Sequence, residues 1–387
     1  MSFKTLLCID SLQDYDLIDH ELLFSLGIHT QFLIKDLSKA SIYSNTVFTK
    51  SFSFEDLFII CNSVRPDYIV CFSEEMFVDI AKVRDDLQIP GMHLEKAMLL
   101  SRKDLMYQKL QGLFPYPKAT EVGSSDFESI INQLNTHNIF IKPVNSSGSY
   151  ETYHINTEEE FKKFIASRKE SEITYIAQPF VNSDLFHSEI AVYNGTILFA
   201  EARKYTSPNH LMVSRGLPIF SLNILDPQTK QLIIDATIII KNLLDFNNGV
   251  LHTEFFMGEK GEIQFLETNA RPPGIGLNKL YKKKYSISLE TILCCIVCEV
   301  QPPKLMESEN HFICGYFPRK EGLVKQIIKP NVGNQNEWTI FIKPGDRIET
   351  AKHMSKAAMV ICWDNSLEKV NEIGEFLSEQ QIVEIEQ

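Results

Sequence analysis

Along the first ninety residues the apolar positions switch between two spacings. Thr5–Asp10 (TLLCID) is a short apolar run that stops at an acid, Tyr15–Leu26 has helical spacing and ends at Gly27, and His29–Ile34 is extended again. Phe54–Ser63 is helical, Arg65-Pro66-Asp67 breaks it, and Tyr68–Phe72 (YIVCF) is another buried-strand pattern. This alternation predicts βαβ units and a mostly parallel sheet covered by helices. Such sheets place ligands beyond the C-terminal ends of their strands, where Asp10, Ser73, Glu74 and Glu75 fall. The same four residues read equally well as helix N-caps.

Ile89-Pro90-Gly91 punctuates the chain, and Leu94–Leu110 is a helical, basic segment ending near Gly112, Pro115 and Pro117. From there to about residue 180 the pattern is a small α/β unit. Its strands are expected at Ile139–Pro143, Thr152–Ile155 and Ile173–Phe180, and its helices at Ser125–Thr136 and Thr157–Arg168, the second opened by a Thr157/Glu160 capping box. Strands dominate from 186 to 270: Glu189–Val192, Thr196–Glu201, Leu251–Phe256 and Ile263–Asn269, with one long helix at Gln228–Leu244. A loop rich in Pro and Gly, a basic run and a cysteine-bearing helix follow. Short strands and a helix, Ser366–Ser378, close the chain.

Composition narrows the partners. With 38 Lys plus Arg against 50 Asp plus Glu, the 387-residue chain carries a net charge of -12, which excludes general binding to nucleic acid or an anionic membrane. No run reaches the length of a membrane span and the start lacks a signal-peptide pattern, so a cytoplasmic protein is expected. The eight cysteines fit that. Cys294, Cys295 and Cys298 (TILCCIVCEV) read as small apolar residues of a buried helix rather than a redox pair. The Lys282-Lys283-Lys284 run reads as a solvated helix end, close in sequence to a loop suited to an anionic substrate.

The most informative segment is LHTEFFMGEKGEIQFLETNARPPGIG, Leu251 to Gly276. Two strands joined by a Gly-rich turn carry Glu254 on the first, and Glu267 with Asn269 on one face of the second. Antiparallel pairing can bring Glu254 opposite Glu267. Two carboxylates so placed repel unless a hard cation sits between them, and Mg²⁺ takes oxygen ligands of this kind together with phosphate oxygens. Arg271 follows at once. The alternative is a salt-bridged hairpin edge.

HTEFF and FLETNARPPG resemble the acidic metal pair of the ATP-grasp superfamily, with Pro273 where Gly is common. Other segments resemble that family in the same order. Lys103 in RKDLMYQKLQGLFPYP matches its first nucleotide-binding lysine, and Lys142 in FIKPVNSSGS the second, followed by a loop containing Ser147, Gly148 and Ser149 that offers N–H groups to phosphate. IAQPFVNSDLFHSEIAV resembles the adenine hinge: the backbone from Gln178 through Pro179 and Phe180 to Val181 would face the base, and Asp184 or Glu189 the ribose. Glu189 reads otherwise as an exposed strand residue. Arg203, Arg215 and Arg271 are the candidates for gripping a carboxylate or acyl phosphate, since a guanidinium matches such oxygens bidentately; each reads otherwise as a surface arginine. His210 and His252 are candidates for proton transfer or structural residues.

The resemblance covers nearly the whole chain. It implies an α/β (α+β overall) ATP-grasp fold: an N-terminal parallel-sheet domain (1–95), linker helices and a small mobile α/β lobe (96–180), a larger antiparallel-sheet lobe (181–305), and C-terminal strands and helix (306–387). The tail, with GYFPRKEGLVKQI and IKPGDRIET, resembles the L-amino-acid ligases and the biotin-carboxylase-like branch; biotin carboxylase itself needs a longer chain. The implied activity is ATP-dependent carboxylate–amine ligation through an acyl phosphate, most like the joining of two amino acids, with ATP and Mg²⁺ (or Mn²⁺) as cofactors and small carboxylates and amines as substrates. This branch is often dimeric, so a homodimer is implied. The alternatives are a ligase for a non-amino-acid carboxylate or a peptide, and a nucleotide-binding protein without turnover.

Overall fold

The computed structural model describes residues 3–9, 17–37, 45–123, 126–146, 148–168, 173–274, 276–349 and 355–386. The N-terminal sheet is parallel as the alternation predicts, in the spatial order Thr46–Phe48, Ile28–Ile34, Lys4–Ile9, Tyr68–Cys71. The short strand Thr46–Phe48 has no clear sequence signal. Asp10 lies outside the described residues.

The small lobe is a four-stranded antiparallel sheet, ordered Thr120–Glu121, Tyr175–Pro179, Ile139–Pro143, Tyr153–Ile155. Helices Phe127–Leu134 and Glu158–Ser167 pack on it through Phe127, Ile130, Phe161 and Phe164. The Thr157/Glu160 capping box is present in full.

The large lobe is one eight-stranded antiparallel sheet, ordered Ile263–Asn269, Gly249–Met257, Asp184–Tyr193, Thr196–Tyr205, Ile219–Asn223, His311–Pro318, Lys356–Asp364, Asn336–Ile340. The C-terminal strands therefore extend the sheet that carries the acidic hairpin. Two helices cover opposite faces. Pro227–Leu243, N-capped by Asp226, buries Ile233, Ala236 and Ile240 against Phe186, Ile190 and Val192. On the other face, Leu289–Val297 packs with Ala191, Phe199 and Val250. All of Cys294, Cys295 and Cys298 are buried thiols, as expected of small apolar residues.

The lysine run is a correction. It ends the helix Leu277–Tyr285, but Lys284 is buried, with Nζ 2.7 Å from Glu201 Oε2 and 3.3 Å from Glu307. Tyr285 also donates to Glu201 Oε2, at 2.7 Å. Burial alone would raise the Glu201 carboxyl, but Lys284 and Lys230 outweigh it and hold it near 2. Lys283 pairs with Glu337 at 2.8 Å over the Trp363 ring. A solvated face is thereby ruled out for Lys284, whereas Lys283 is exposed as expected of a solvated helix end.

Gly315 joins the C-terminal strands to the rest of the sheet. A Cβ there would run into the Ile219 carbonyl oxygen and the Phe220 ring on the neighbouring strand. Gly315→Ala is expected to lower unfolding free energy by about 2 kcal/mol through overpacking, measured by urea denaturation. Unchanged stability would show that the strands separate there at no cost.

Candidate nucleotide and metal site

Between the two lobes lies a cleft of about 780 Å³. Its walls hold most of the residues that the motifs single out: Lys103, Lys142, Gly148, Ser149, the segment Gln178–Val181, Glu254 and Glu267. Ser147 lies outside the described residues.

The acidic end follows from strand register. Glu254 pairs directly with Glu267 across the strands Gly249–Met257 and Ile263–Asn269, and His252 pairs with Asn269. Side chains two apart on a strand share a face, so Glu267 and Asn269 look the same way. Both carboxylates are nearly buried. Lys103, the first residue of helix Lys103–Leu110, places Nζ 3.0 Å from Glu267 Oε2 and donates to the Ser146 carbonyl oxygen at 2.5 Å. Burial would raise the Glu267 carboxyl; Lys103 and then Lys142 reverse that and lower it. Asn209 donates to Glu254 Oε1 at 3.0 Å, leaving its own buried Oδ1 without a partner. The donors of Glu254, Glu267 and Asn269 are all oxygens, which fits a hard divalent cation, and the orphaned Asn209 oxygen marks a place built for a further ligand atom.

Lys142 ends the strand Ile139–Pro143, and Nζ lies 3.1 Å from the Tyr107 hydroxyl, which donates to Leu266 O at 2.7 Å. Burial, with help from Lys103, lowers Lys142 from its ordinary value to about 7. Gly148 and Ser149 have successive positive φ angles, 60° and 56°, that fold the loop beside it back on itself. At the apolar end, the His210 ring centroid lies 5.2 Å from Phe140 and 5.6 Å from Phe180, and His154 stacks on Phe180 at 4.0 Å. Burial, then His154 and Arg215, lower His210 to about 4, so it is neutral at pH 7. These rings pack on one another as an aromatic wall against which a purine ring could lie. The Gln178 side chain is turned out of it to donate to Pro117 O at 2.8 Å, leaving the backbone of the segment at the cleft.

Several expectations need correction. Glu189 cannot reach a ribose. It is fully buried and accepts from His187 Nδ1 at 2.8 Å, from His252 Nδ1 at 2.7 Å and from the Tyr281 hydroxyl. Nor is it an exposed strand residue. Burial would raise its carboxyl, but His187 and His252 together hold it well below the usual range. Asp184 fails for a different reason: the pleat turns it to the face opposite Leu185, where it pairs with Lys204 at 2.6 Å. Arg203 does not face substrate. The strand expected to end at Glu201 runs on to Tyr205, and Arg203 is fully buried inside it. Its guanidinium is spent on Ser221 Oγ at 2.8 Å, Asn223 Oδ1 at 2.9 Å, Ser221 O at 3.0 Å and Phe312 O at 2.7 Å.

These buried groups form one chain behind the cleft, from Arg203 through Ser221, His187 and Glu189 to His252 and Glu254. His187 Nε2 lies 2.9 Å from Ser221 Oγ, and His252 Nε2 lies 3.5 Å from Glu254 Oε1. Burial would lower His252, but its bonds to Glu189 and Glu254 raise it to about 9, so it is an imidazolium at pH 7. His187, Glu189 and His252 lie close enough to hold a metal ion, but their facing atoms are already committed to one another.

Arg215 is exposed at the end of helix Asn209–Arg215, close enough to lower both His154 and His210. Arg271 lies beyond Asn269, outside the cleft wall; Nε contacts Glu74 Oε2 at 3.1 Å and Nη1 donates to Pro272 O. Glu74 opens a short turn after the parallel strand Tyr68–Cys71, and Ser73 makes no side-chain cap there. No side-chain cap forms at this turn, and Glu74 is instead the buried ion-pair partner of Arg271. Burial raises its carboxyl, Arg271 opposes the rise, and Glu267 adds to it. Sequence reasoning missed Phe140, Tyr107 and Asn209, which come from elements far apart in the chain and carry no local motif.

No family model matches the sequence. The chain is 24% identical over 319 residues, 78% of this chain and 76% of that protein, to an L-arginine-specific L-amino acid ligase of Bacillus subtilis. Among solved structures, a crystal structure of an L-amino acid ligase from Bacillus licheniformis superposes with a TM-score of 0.74, 15% identity and full coverage of both chains. The biotin carboxylase domain of the Hydrogenobacter thermophilus 2-oxoglutarate carboxylase, in complex with MgADP, ADP and bicarbonate, superposes at 0.72 with 13% identity, covering 99% of this chain and 92% of that one. With its parallel-sheet domain, small lobe and large antiparallel lobe, the chain has the ATP-grasp fold, and in sequence and architecture it resembles the L-amino acid ligases.

Proposed function

We propose that the protein is an ATP-dependent carboxylate–amine ligase that joins amino acids. The observation that carries this reading is the in-register pair Glu254 and Glu267 with Lys103 and Lys142 in one cleft. Phe140, Phe180 and His210 would hold adenine, and Lys103, Lys142 and the Gly148–Ser149 turn the phosphates. Glu254, Glu267 and Asn269 would hold Mg²⁺, whose contribution is to neutralise charge on the phosphate oxygens.

The chemistry is an in-line attack of a substrate carboxylate on the γ-phosphorus, which releases ADP and leaves an acyl phosphate. An amine then attacks the acyl carbon and phosphate departs. Arg271, two residues beyond Asn269, would orient the carboxylate with Nη2, which has no hydrogen-bond partner among the described residues, while Glu74 fixes the fork through Nε. The small lobe would cover the phosphates and keep water from the acyl phosphate. Behind the metal pair, His252, itself fixed by the buried Glu189, would hold Glu254 in place.

The direct test is ADP release across a matrix of amino acids and small carboxylates, with the joined product identified by mass. Turnover with amino-acid pairs supports the reading; turnover only with other acids moves the substrate class, and ATP binding without turnover overturns the ligase. Glu267→Gln is expected to lower kcat at least about a hundredfold with an unchanged thermal midpoint. Near wild-type turnover would remove Glu267 from the metal site.

Lys142 also sets a pH dependence. Free, it loses its proton through about pH 7, whereas a bound triphosphate favours the ammonium form. Nucleotide binding above pH 7 therefore takes up a proton, and affinity for a non-hydrolysable ATP analogue should fall by up to about tenfold per pH unit between 7 and 9. Lys142→Met should flatten that slope in calorimetric titrations. A flat wild-type profile would contradict the assignment.

A further inference from the structure

A second cavity, of about 1660 Å³ counting its open mouth, lies between the N-terminal sheet and the large lobe and shares no wall with the nucleotide cleft. Phe77, Ile80, Phe246, Leu293 and Ile296 give it an apolar side, beside polar residues such as Asn247 and Asn248. At one wall stands Arg84, on the helix Phe77–Leu87 and 5% exposed. We propose that this cavity is a binding site for a small carboxylate with an apolar body, and that Arg84 is its anion anchor.

The case begins with a charge that lacks a counter-charge. A guanidinium presents five N–H groups. Arg84 gives Nη1 to Met92 O at 3.2 Å and Nη2 to Ile69 O at 2.7 Å, while Nε is buried with no partner. No carboxylate lies within ion-pair distance of it among the described residues. Neighbouring Asp85 is turned away, to His93 and to the Leu94 N–H. The two carbonyl bonds account for a structural role, tying a strand to the loop before residue 93. They leave a buried cation uncompensated, which interiors tolerate poorly.

Gly91 packs beside the buried, unpartnered Nε, and only its lack of a side chain leaves that position unfilled. A Cβ at that position would stand 2.8 Å from Arg84 Nε and 3.1 Å from Cδ. The uncompensated charge of the guanidinium at the wall matches a carboxylate, and the neighbouring apolar side chains match a hydrocarbon body rather than a bare ion. Acidic groups of the cavity are held off: Glu299 accepts from the Tyr68 hydroxyl at 3.2 Å, and Asp245 stands exposed at the rim. Ala270, between Asn269 and Arg271, forms part of the wall, so an occupant would touch the end of the strand that carries the metal ligands.

The test uses the whole protein with its nucleotide cleft saturated by a non-hydrolysable ATP analogue and Mg²⁺. Hexanoate is titrated by ligand-observed NMR, with inorganic phosphate and hexylamine as parallel probes. Hexanoate should bind, and both Arg84→Gln and Val297→Phe should weaken it at least about tenfold. Val297 lines the cavity without touching the guanidinium bonds, so its larger replacement fills the space and keeps the test valid if Arg84→Gln fails to fold. Phosphate or hexylamine binding as well as hexanoate overturns the proposed ligand class. No hexanoate binding up to about 10 mM, or binding indifferent to Val297→Phe, overturns the site.

Discussion

Two carboxylates, Glu254 and Glu267, are held opposite each other on neighbouring strands, and the rest of the site is arranged around the cost of that pairing. Like charges this close disfavour joint ionisation unless cations share the space. Lys103 supplies one directly on Glu267, Lys142 adds to it, and an imidazolium at His252 stands behind Glu254. The cations are themselves constrained. Burial, with Lys103 beside it, lowers Lys142 to about 7, and a ligand carrying negative charge would restore its ammonium form. A metal-bound triphosphate has that character.

The buried chain from Arg203 to Glu254 explains how the acidic hairpin stays in place. Each member is satisfied by the next: carbonyl oxygens and Ser221 take Arg203, Ser221 meets His187, and Glu189 binds both histidines and Tyr281. A fully connected network in a low-dielectric interior is rigid, whereas a partly connected one is costly. For the phosphoryl transfer proposed above, rigidity would matter because such a reaction depends on positioning more than on covalent help from the protein. The same face of the sheet therefore serves as cleft at Leu185 and Phe256 and as a polar core at His187, Glu189 and His252.

How much of this the sequence revealed depended on whether the deciding contact was local. The acidic hairpin was legible because a period of two and a Gly-rich turn set its register without reference to anything distant. That Lys103, Lys142 and Gln178–Val181 come to one cleft was legible from their order along the chain. The ribose reading of Glu189 fails because it takes Glu189 without His187; polar residues on alternate positions of HSEIAV, facing His252 and Glu254 of LHTEF across a strand pair, are the signature of an internal network. Asp184 turned on pleat parity, which needs the first residue of the strand. Arg203 needed both the true end of its strand and a neighbour, Ile219–Asn223, that has no pattern of its own. The aromatic wall of Phe140, Phe180 and His210 exists only after the lobes meet.

The central claim is that Glu254 and Glu267 jointly hold the metal of a bound nucleotide. A crystal structure with a non-hydrolysable ATP analogue and Mn²⁺, read by anomalous scattering, tests it most directly. The account predicts one or more manganese peaks bridging those two carboxylates and the terminal phosphates, with Lys103 and Lys142 on the phosphate oxygens. Manganese and triphosphate bound away from the pair would contradict it.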